Sequence, residues 1–225
     1  MEKTSKLSGG IFFRFIKRTF DILCSLILMI PILLIIGISA IFIKAEDRGP
    51  VFYMGERLGC FGKPFKMYKL RSMKVNAPDI RLADGSTYNG DDDPRVTKFG
   101  KIARKTSIDE LPQIINILKG DMSFIGPRPD PLSDLADYSE EDMLILTVRP
   151  GITGYNQAIN RNSVLTKEKH QNDIYYVEHM SIGFDIKIIF MTLMTVLKRK
   201  NVNREGANLE DTFVFENEKE TTEIK

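Results

Sequence analysis

Tryptophan is absent from this chain of 225 residues, and it holds only two cysteines and two histidines. Cys24 falls in an apolar run and Cys60 in a glycine-rich turn, which gives neither a disulfide framework nor a metal-binding spacing. His170 and His179 add too little to these separated thiols for a His/Cys zinc site. Any metal is therefore expected to be a hard cation held by oxygen. The missing tryptophan also bears on partners. Lys and Arg are not interleaved with stacking aromatics, so nucleic acid is not an expected partner. A strong charge of one sign is lacking too, since 32 Lys and Arg against 30 Asp and Glu leave +2. That balance hides a partition. Residues 201–225 carry seven acids against Arg204, Lys219 and Lys225, a charge of −4, so residues 1–200 hold +6. The tail reads as solvated and flexible, while the basic remainder suits anionic lipid headgroups and phosphate ligands.

One long hydrophobic run is present. Ile22 to Ile43 is 22 residues without a charge, with Pro31 near its middle. As a helix it reaches about 33 Å, enough for a hydrocarbon core of about 30 Å. Pro31 removes a backbone bond and divides the run into halves of about 14 and 18 Å, each suited to one leaflet. Arg14, Lys17 and Arg18 precede the run, and Lys44, Arg48, Arg57 and Lys63 follow it. Basic flanks on both sides place both ends in the cytoplasm. The expectation is a re-entrant membrane helix broken at Pro31, with a simple span as the alternative. The length of the apolar core and the lack of a clear A-x-A site weigh against a cleaved signal peptide. The rest divides into a catalytic domain over 49–200 and the tail over 201–225, behind a membrane-associated segment over 1–48. The fold class expected is α+β, mainly helical. Ser181 to Arg199 reads as an amphipathic interfacial helix, ending in the basic cluster Lys198-Arg199-Lys200.

The polar landmarks lie within the middle segment. Gly49 to Tyr53 and Phe65 to Leu70 read as a hairpin. Ala77 to Pro94 reads as a loop carrying Asp91-Asp92-Asp93, and Val96 to Lys105 as a short basic helix. Behind it, Thr106-Ser107-Ile108-Asp109-Glu110 opens a helix whose apolar residues Ile108, Leu111, Ile114, Ile115 and Leu118 recur at helical spacing. Ser107 and Glu110 have capping-box spacing. Asp109 falls at about the second helical position, where the helix end would keep its carboxylate ionised as a nucleophile or metal ligand. A plain helix cap is the alternative. Downstream, Pro127-Arg128-Pro129 presents a guanidinium on a stiff loop. Arg149 in Val148 to Tyr155 and Arg161 between two asparagines repeat the theme. Two acids and three anchored arginines suggest a diphosphate site with a cation.

Taken together these segments resemble the bacterial sugar transferases, the monotopic polyprenyl-phosphate phosphoglycosyl transferases that begin assembly of capsule, exopolysaccharide, O-antigen or glycoprotein glycans. The match covers about Lys17 to Lys200, through GPVFYMGERLG at 49–59, KLRSM at 69–73, DDPRVTKFGKIARKTSIDELPQIINILKGDMSFIGPRP at 92–129 and VRPGITG at 148–154. The resemblance implies that Asp109 and Glu110 are the catalytic pair and hold Mg²⁺. It makes Arg104, Arg128 and Arg161 functional arginines and puts the membrane break at Pro31, while Arg149, from its own glycine-rich turn, is read as a further substrate-binding residue. It implies attack by Asp109 on a UDP-sugar, release of UMP, and passage of the phosphosugar from aspartate to undecaprenyl phosphate. The implied setting is the cytoplasmic face of the bacterial inner membrane. Departures from the family pattern occur at Ile30, Tyr155 and Ala158-Ile159-Asn160. The donor sugar, the polymer, assembly as a homo-oligomer and the role of Glu110 as ligand, base or cap stay open. Two other readings remain at this point: a non-catalytic membrane anchor and a phosphohydrolase.

Overall fold

Helix α1 (Gly10–Asp47) is 38 residues long, about 57 Å, and its two faces differ. Phe13, Asp21, Ser25, Ile32, Ile36, Ser39 and Ile43 are buried, and their spacing of three, four, seven and eight residues puts them on one side. Ile27, Ile30, Leu34 and Ile41 are exposed. The helix continues through Pro31, which withholds one backbone donor. By length and composition α1 is able to cross a membrane. In this computed structural model the residues described are 10–82, 88, 90, 92–160, 164–197 and 212–215. Lys198-Arg199-Lys200 and most of the acidic tail lie outside the described residues.

Polar contacts tie both ends of α1 to the same body of protein. Near its start, Lys17 pairs with Asp185 (2.5 Å), and Arg18 donates to the carbonyls of Ile117 (2.6 Å) and Leu118 (2.9 Å). The buried Asp21 carboxylate accepts from the Ser123 hydroxyl and the Phe124 N–H, both at 3.0 Å. Near its end, the Glu46 carboxylate accepts from the N–H groups of Lys98 (2.6 Å) and Phe99 (3.1 Å). Asp47 makes a two-point ion pair with Arg71.

Strands β1 (Phe52–Leu58) and β2 (Pro64–Leu70) form the expected antiparallel hairpin, paired from Phe52 with Leu70 to Leu58 with Pro64. The fully buried Asn116 fastens it to the next helical layer, accepting from the Tyr68 N–H (3.0 Å) and donating to the Lys66 carbonyl (2.8 Å). The expected loop over 77–94 contains a strand. β3 (Asp79–Leu82) pairs antiparallel with β6 (Thr212–Phe215), so four tail residues expected to be solvated are held in a ladder. Helix α2 (Lys98–Thr106) begins two residues after the expected Val96, capped by Thr97, whose hydroxyl accepts from the Gly100 N–H (2.9 Å). A Cβ on Gly100 would stand 2.0 Å from the Ser72 carbonyl oxygen, which is why glycine occupies the contact of α2 with the hairpin.

Helix α3 (Ile114–Lys119) ends in Gly120 at φ 91°. β4 (Ser123–Ile125) runs parallel to β5 (Gly151–Thr153), followed by α4 (Tyr155–Ile159), α5 (Thr166–Glu178) and α6 (Ile182–Leu197). One core layer gathers Phe13, Ile125, Val148, Tyr176, Val177 and Ile188. A second brings Ile32, Ile36 and Ile43 of α1 against Leu70 and Ile114. The outcome is mainly helical with three two-stranded sheets among the described residues, in keeping with the fold class expected. α6 confirms a helix within 181–199, with Ile188 buried and Ile186, Phe190 and Leu193 exposed.

Candidate active site

Pro112 decides the backbone on which the acid pair is carried. Its ring collides with a carbonyl four residues back and it has no N–H, so Ile108–Gln113 winds as a tight 3-10 turn. Asp109 is the second residue of that turn, as its position in the sequence implied. The capping box does not form. Ser107 adopts the left-handed region (φ 58°) and closes α2 through its own N–H on the Arg104 carbonyl (3.2 Å). The Glu110 carboxylate turns instead to two cations, accepting from Lys69 Nζ (3.0 Å) and from both ends of the Arg128 guanidinium (2.7 and 3.4 Å). Two full cations, one of them a two-point guanidinium, attract the carboxylate more than a single backbone N–H does, so the return to the backbone loses the competition.

The two neighbours therefore differ sharply. Burial alone would push the Glu110 carboxyl up, but Arg128 and Lys69 together outweigh it and hold Glu110 well below the usual carboxylate range. Asp109 is buried, and no hydrogen bond reaches its carboxylate among the described residues. Burial, then the adjacent Glu110, push its pKa up against the opposing pull of Lys69, Arg104 and Arg128. This corrects the expectation that the helix end holds Asp109 ionised.

Arg104, in the last turn of α2, donates to the Ser72 hydroxyl (3.0 Å) and lies 4.0 Å from Asp93, with Asp109 in its field. Asp93 is itself buried in a two-point pair with Arg95 (2.9 and 2.8 Å). Of the acid run considered as a cation holder, Asp93 is thus an internal anchor, Asp92 accepts from the Tyr88 hydroxyl, and Asp91 lies outside the described residues. Arg128 is presented as expected by a stiff loop, in which the Gly126 N–H bonds the Thr153 carbonyl and the Gly151 N–H bonds that of Pro127, both at 2.9 Å. Arg149 does not join this group. Its Nε donates to the Gly120 carbonyl (2.9 Å), beside Cys60. Arg161 lies outside the described residues.

Three cations, Lys69, Arg104 and Arg128, thus face two carboxylates, a surplus that favours an anion. Lys69 was not singled out from the sequence, because a lysine in a hairpin strand is ordinarily a solvated residue. Its only signal is its place in KLRSM, directly before the buried Leu70. A second network was also missed. Asp130 accepts from Lys169 (2.6 Å) and the Tyr138 hydroxyl (2.8 Å), and His170 stands between Asp130 (3.4 Å) and Asp142 (3.1 Å). A small cleft between this network and Arg128 is lined by Leu58, Pro129, Tyr138, Ile145 and Val148. No group of three or more metal-ligating side chains occurs among the described residues. A magnesium ion commonly takes one or two carboxylates and draws its other ligands from substrate phosphates and water, and Asp109 has that vacancy in its bonding.

The family described as bacterial sugar transferase matches residues 12–199. The chain belongs to that family. It is 38% identical over 200 residues to an undecaprenyl-phosphate galactose phosphotransferase of Salmonella typhimurium, covering 83% of this chain and 41% of that protein. It is 41% identical over 189 residues to a UDP-glucose:undecaprenyl-phosphate glucose-1-phosphate transferase of Escherichia coli, covering 80% of this chain and 40% of the relative. An uncharacterized sugar transferase of Bacillus subtilis, EpsL, is 37% identical over 189 residues, covering 84% of this chain and 91% of the relative. The chain therefore spans well under half the length of the first two and nearly all of the third.

Proposed function

We propose that this protein transfers a phosphosugar from a UDP-sugar to a polyprenyl phosphate, undecaprenyl phosphate by the names of the relatives, and releases UMP. The observation that carries this reading is the contrast within the acid pair: among the described residues nothing hydrogen-bonds the Asp109 carboxylate, while Glu110 is locked to Lys69 and Arg128. A carboxylate oxygen of Asp109 attacks the phosphorus that bears the sugar. The bond from that phosphorus to the bridging oxygen breaks, and UMP leaves with the electron pair. The aspartyl phosphosugar is then attacked by an oxygen of the polyprenyl phosphate, which frees the carboxylate again. Because burial raises its proton affinity, ionised Asp109 is a stronger nucleophile than a solvated aspartate. Lys69, Arg104 and Arg128 neutralise charge on the diphosphate and on departing UMP. The acceptor phosphate, with a second pKa of about 6, needs no dedicated base. Glu110 serves as the fixed counter-charge that keeps Lys69 and Arg128 in place.

Mg²⁺ fits this site through Asp109 and substrate oxygens, with Glu110 available only where Lys69 or Arg128 turns to the substrate, and when bound it would polarise the diphosphate. For the membrane, the ties at Arg18 and Asp47 support a helix that enters and leaves on one face. A perpendicular span would carry the catalytic domain into the hydrocarbon with it. With α1 held along the domain at both ends and the exposed face of α6 alongside, the domain rests on the cytoplasmic surface of the inner membrane. The test uses purified protein, a panel of UDP-sugars and Mg²⁺ without acceptor. A phosphosugar adduct should appear by intact mass, vanish in Asp109→Asn, and pass to added undecaprenyl phosphate. UMP release without any lipid product would make the protein a hydrolase instead.

A further inference from the structure

Arg149, expected beside the acid pair, belongs to a second group of cations about the tip of the β1–β2 hairpin. Arg18 and Arg149 both reach the end of α3, at the carbonyls of Leu118 and Gly120, and Arg14 lies one turn before Arg18 on α1, which brings Arg14 and Arg149 to the same edge of the protein. Lys63 is two residues beyond Phe61 at the hairpin tip. All three cations act on the Cys60 thiol, opposing the burial that pushes it up. Arg149 spends its Nε on the Gly120 carbonyl. Arg14 Nη2 is buried with no acceptor at all. Among the described residues no acidic side chain pairs with Arg14, Lys63 or Arg149. An unmet charged donor is costly to bury, so a buried guanidinium amid unpaired cations points to an anion that is supplied from outside.

The surroundings identify the type of anion. Phe61, between Cys60 and Gly62, is held in the left-handed region at φ 59°, a genuine outlier for a bulky residue, and its ring is 66% exposed. The two-residue hairpin turn imposes this backbone on Phe61 and Gly62, so an aromatic stands, exposed, where asparagine or glycine is usual. On the first turns of α1, on either side of Arg14, Ile11, Phe12 and Phe15 are exposed as well. A soluble phosphate gives no reason to hold an aromatic ring in water at such a cost, whereas a lipid offers phosphate to the cations and acyl chain to the rings. We propose that Arg14, Lys63 and Arg149 bind the headgroup phosphate of an anionic membrane phospholipid, with Phe61 inserting beside it. The hairpin tip is then a third membrane contact, separate from the apolar faces of α1 and α6 and from the acid pair.

Because the chain has no tryptophan, Phe61→Trp places a single fluorophore at the tip. The full chain is reconstituted in phosphatidylcholine vesicles with and without phosphatidylglycerol, each with or without brominated acyl chains. Brominated lipid should quench the emission, more strongly where phosphatidylglycerol is present. In detergent, a short-chain phosphatidylglycerol should bind Arg14→Gln and the exposed-site variant Lys63→Gln each about fivefold more weakly than wild type. Inorganic phosphate should compete poorly. Emission indifferent to brominated lipid would overturn the proposal, and so would wild-type lipid affinity in both variants. Inorganic phosphate binding as tightly as the lipid would make this a soluble-anion site and refute the lipid assignment.

Discussion

Two buried charge clusters stand on either side of Pro129, and they are built to opposite plans. On the Arg128 side, Lys69, Arg104 and Arg128 outnumber Asp109 and Glu110, and the Asp109 carboxylate has no hydrogen bond among the described residues. On the Asp130 side, Asp130, Asp142 and Asp173 outnumber Lys169, with His170 and Tyr138 filling the gaps. The first has surplus positive charge and an open oxygen, which is what a diphosphate requires of its site. The second has surplus negative charge, with both oxygens of the buried Asp173 lacking a hydrogen bond and only the Lys169 ammonium beside them, and it joins the loop after Arg128 to α5 and the 3-10 turn around Asp142. Proximity of ionisable groups therefore does not mark a reaction centre by itself. What distinguishes the two is which charge is left over.

Removal of the open carboxylate breaks this comparison most severely. Asp109→Asn keeps shape but cannot form the acyl phosphate, and turnover should fall by about 10⁴-fold or more. The same change at Asp130 removes a partner of Lys169 and should act mainly on stability, read as a lower thermal midpoint with turnover reduced far less. Comparable loss of turnover in both variants would erase the distinction between the clusters.

Next in size is Arg128→Lys, which retains the charge but loses the two-point grip on Glu110. A lysine there is a point charge on a flexible stem, and turnover should drop by about 10²-fold. If the arginine acts on the developing charge of the leaving group, kcat falls with little change in KM. A rise in KM alone would assign Arg128 to ground-state binding.

Much of this was legible beforehand, and the parts that were not share a cause. The acid pair, the stiff Arg128 loop, the hairpin and the two long apolar helices follow from local spacing. Long-range pairings do not. Glu110 stood at capping-box distance from Ser107, yet Lys69, 41 residues away, and Arg128 claimed it. The ionisation of Asp109 depends on burial, which no turn position reveals. Arg149 sat in a glycine-rich turn much like that of Arg128, but the tertiary contact with Gly120 sent it to another edge. The strand within 77–94 was hidden because its partner lies more than 100 residues downstream, in a stretch read as tail.

A pH profile sharpens the contrast within the acid pair. Since burial and Glu110 raise the Asp109 pKa, the acid limb of kcat/KM should lie above the range of an ordinary aspartate, falling tenfold per pH unit below that point. Arg104→Gln removes a cation that stabilises the ionised form, so the limb should move to higher pH. A limb that stays put in that variant would show that Arg104 does not act on Asp109.

The smallest effect belongs to Asp173 in the acid-rich cluster. Burial pushes its carboxyl up to about 6, although Lys169 at 3.2 Å pulls the other way. The folded protein then binds this proton more tightly than the unfolded chain does. The sign follows from that: this group's contribution falls as pH rises from about 4 to about 6, and its full cost, of order 3 kcal/mol, applies above. Asp173→Asn keeps the size without the buried charge. Its unfolding midpoint in urea should exceed that of wild type at pH 8, and the gain should shrink toward nothing at pH 4. Equal destabilisation at both pH values would mean that Lys169 needs the ionised partner more than burial penalises it, and the acid-rich cluster would then be held together by its surplus charge in spite of burial.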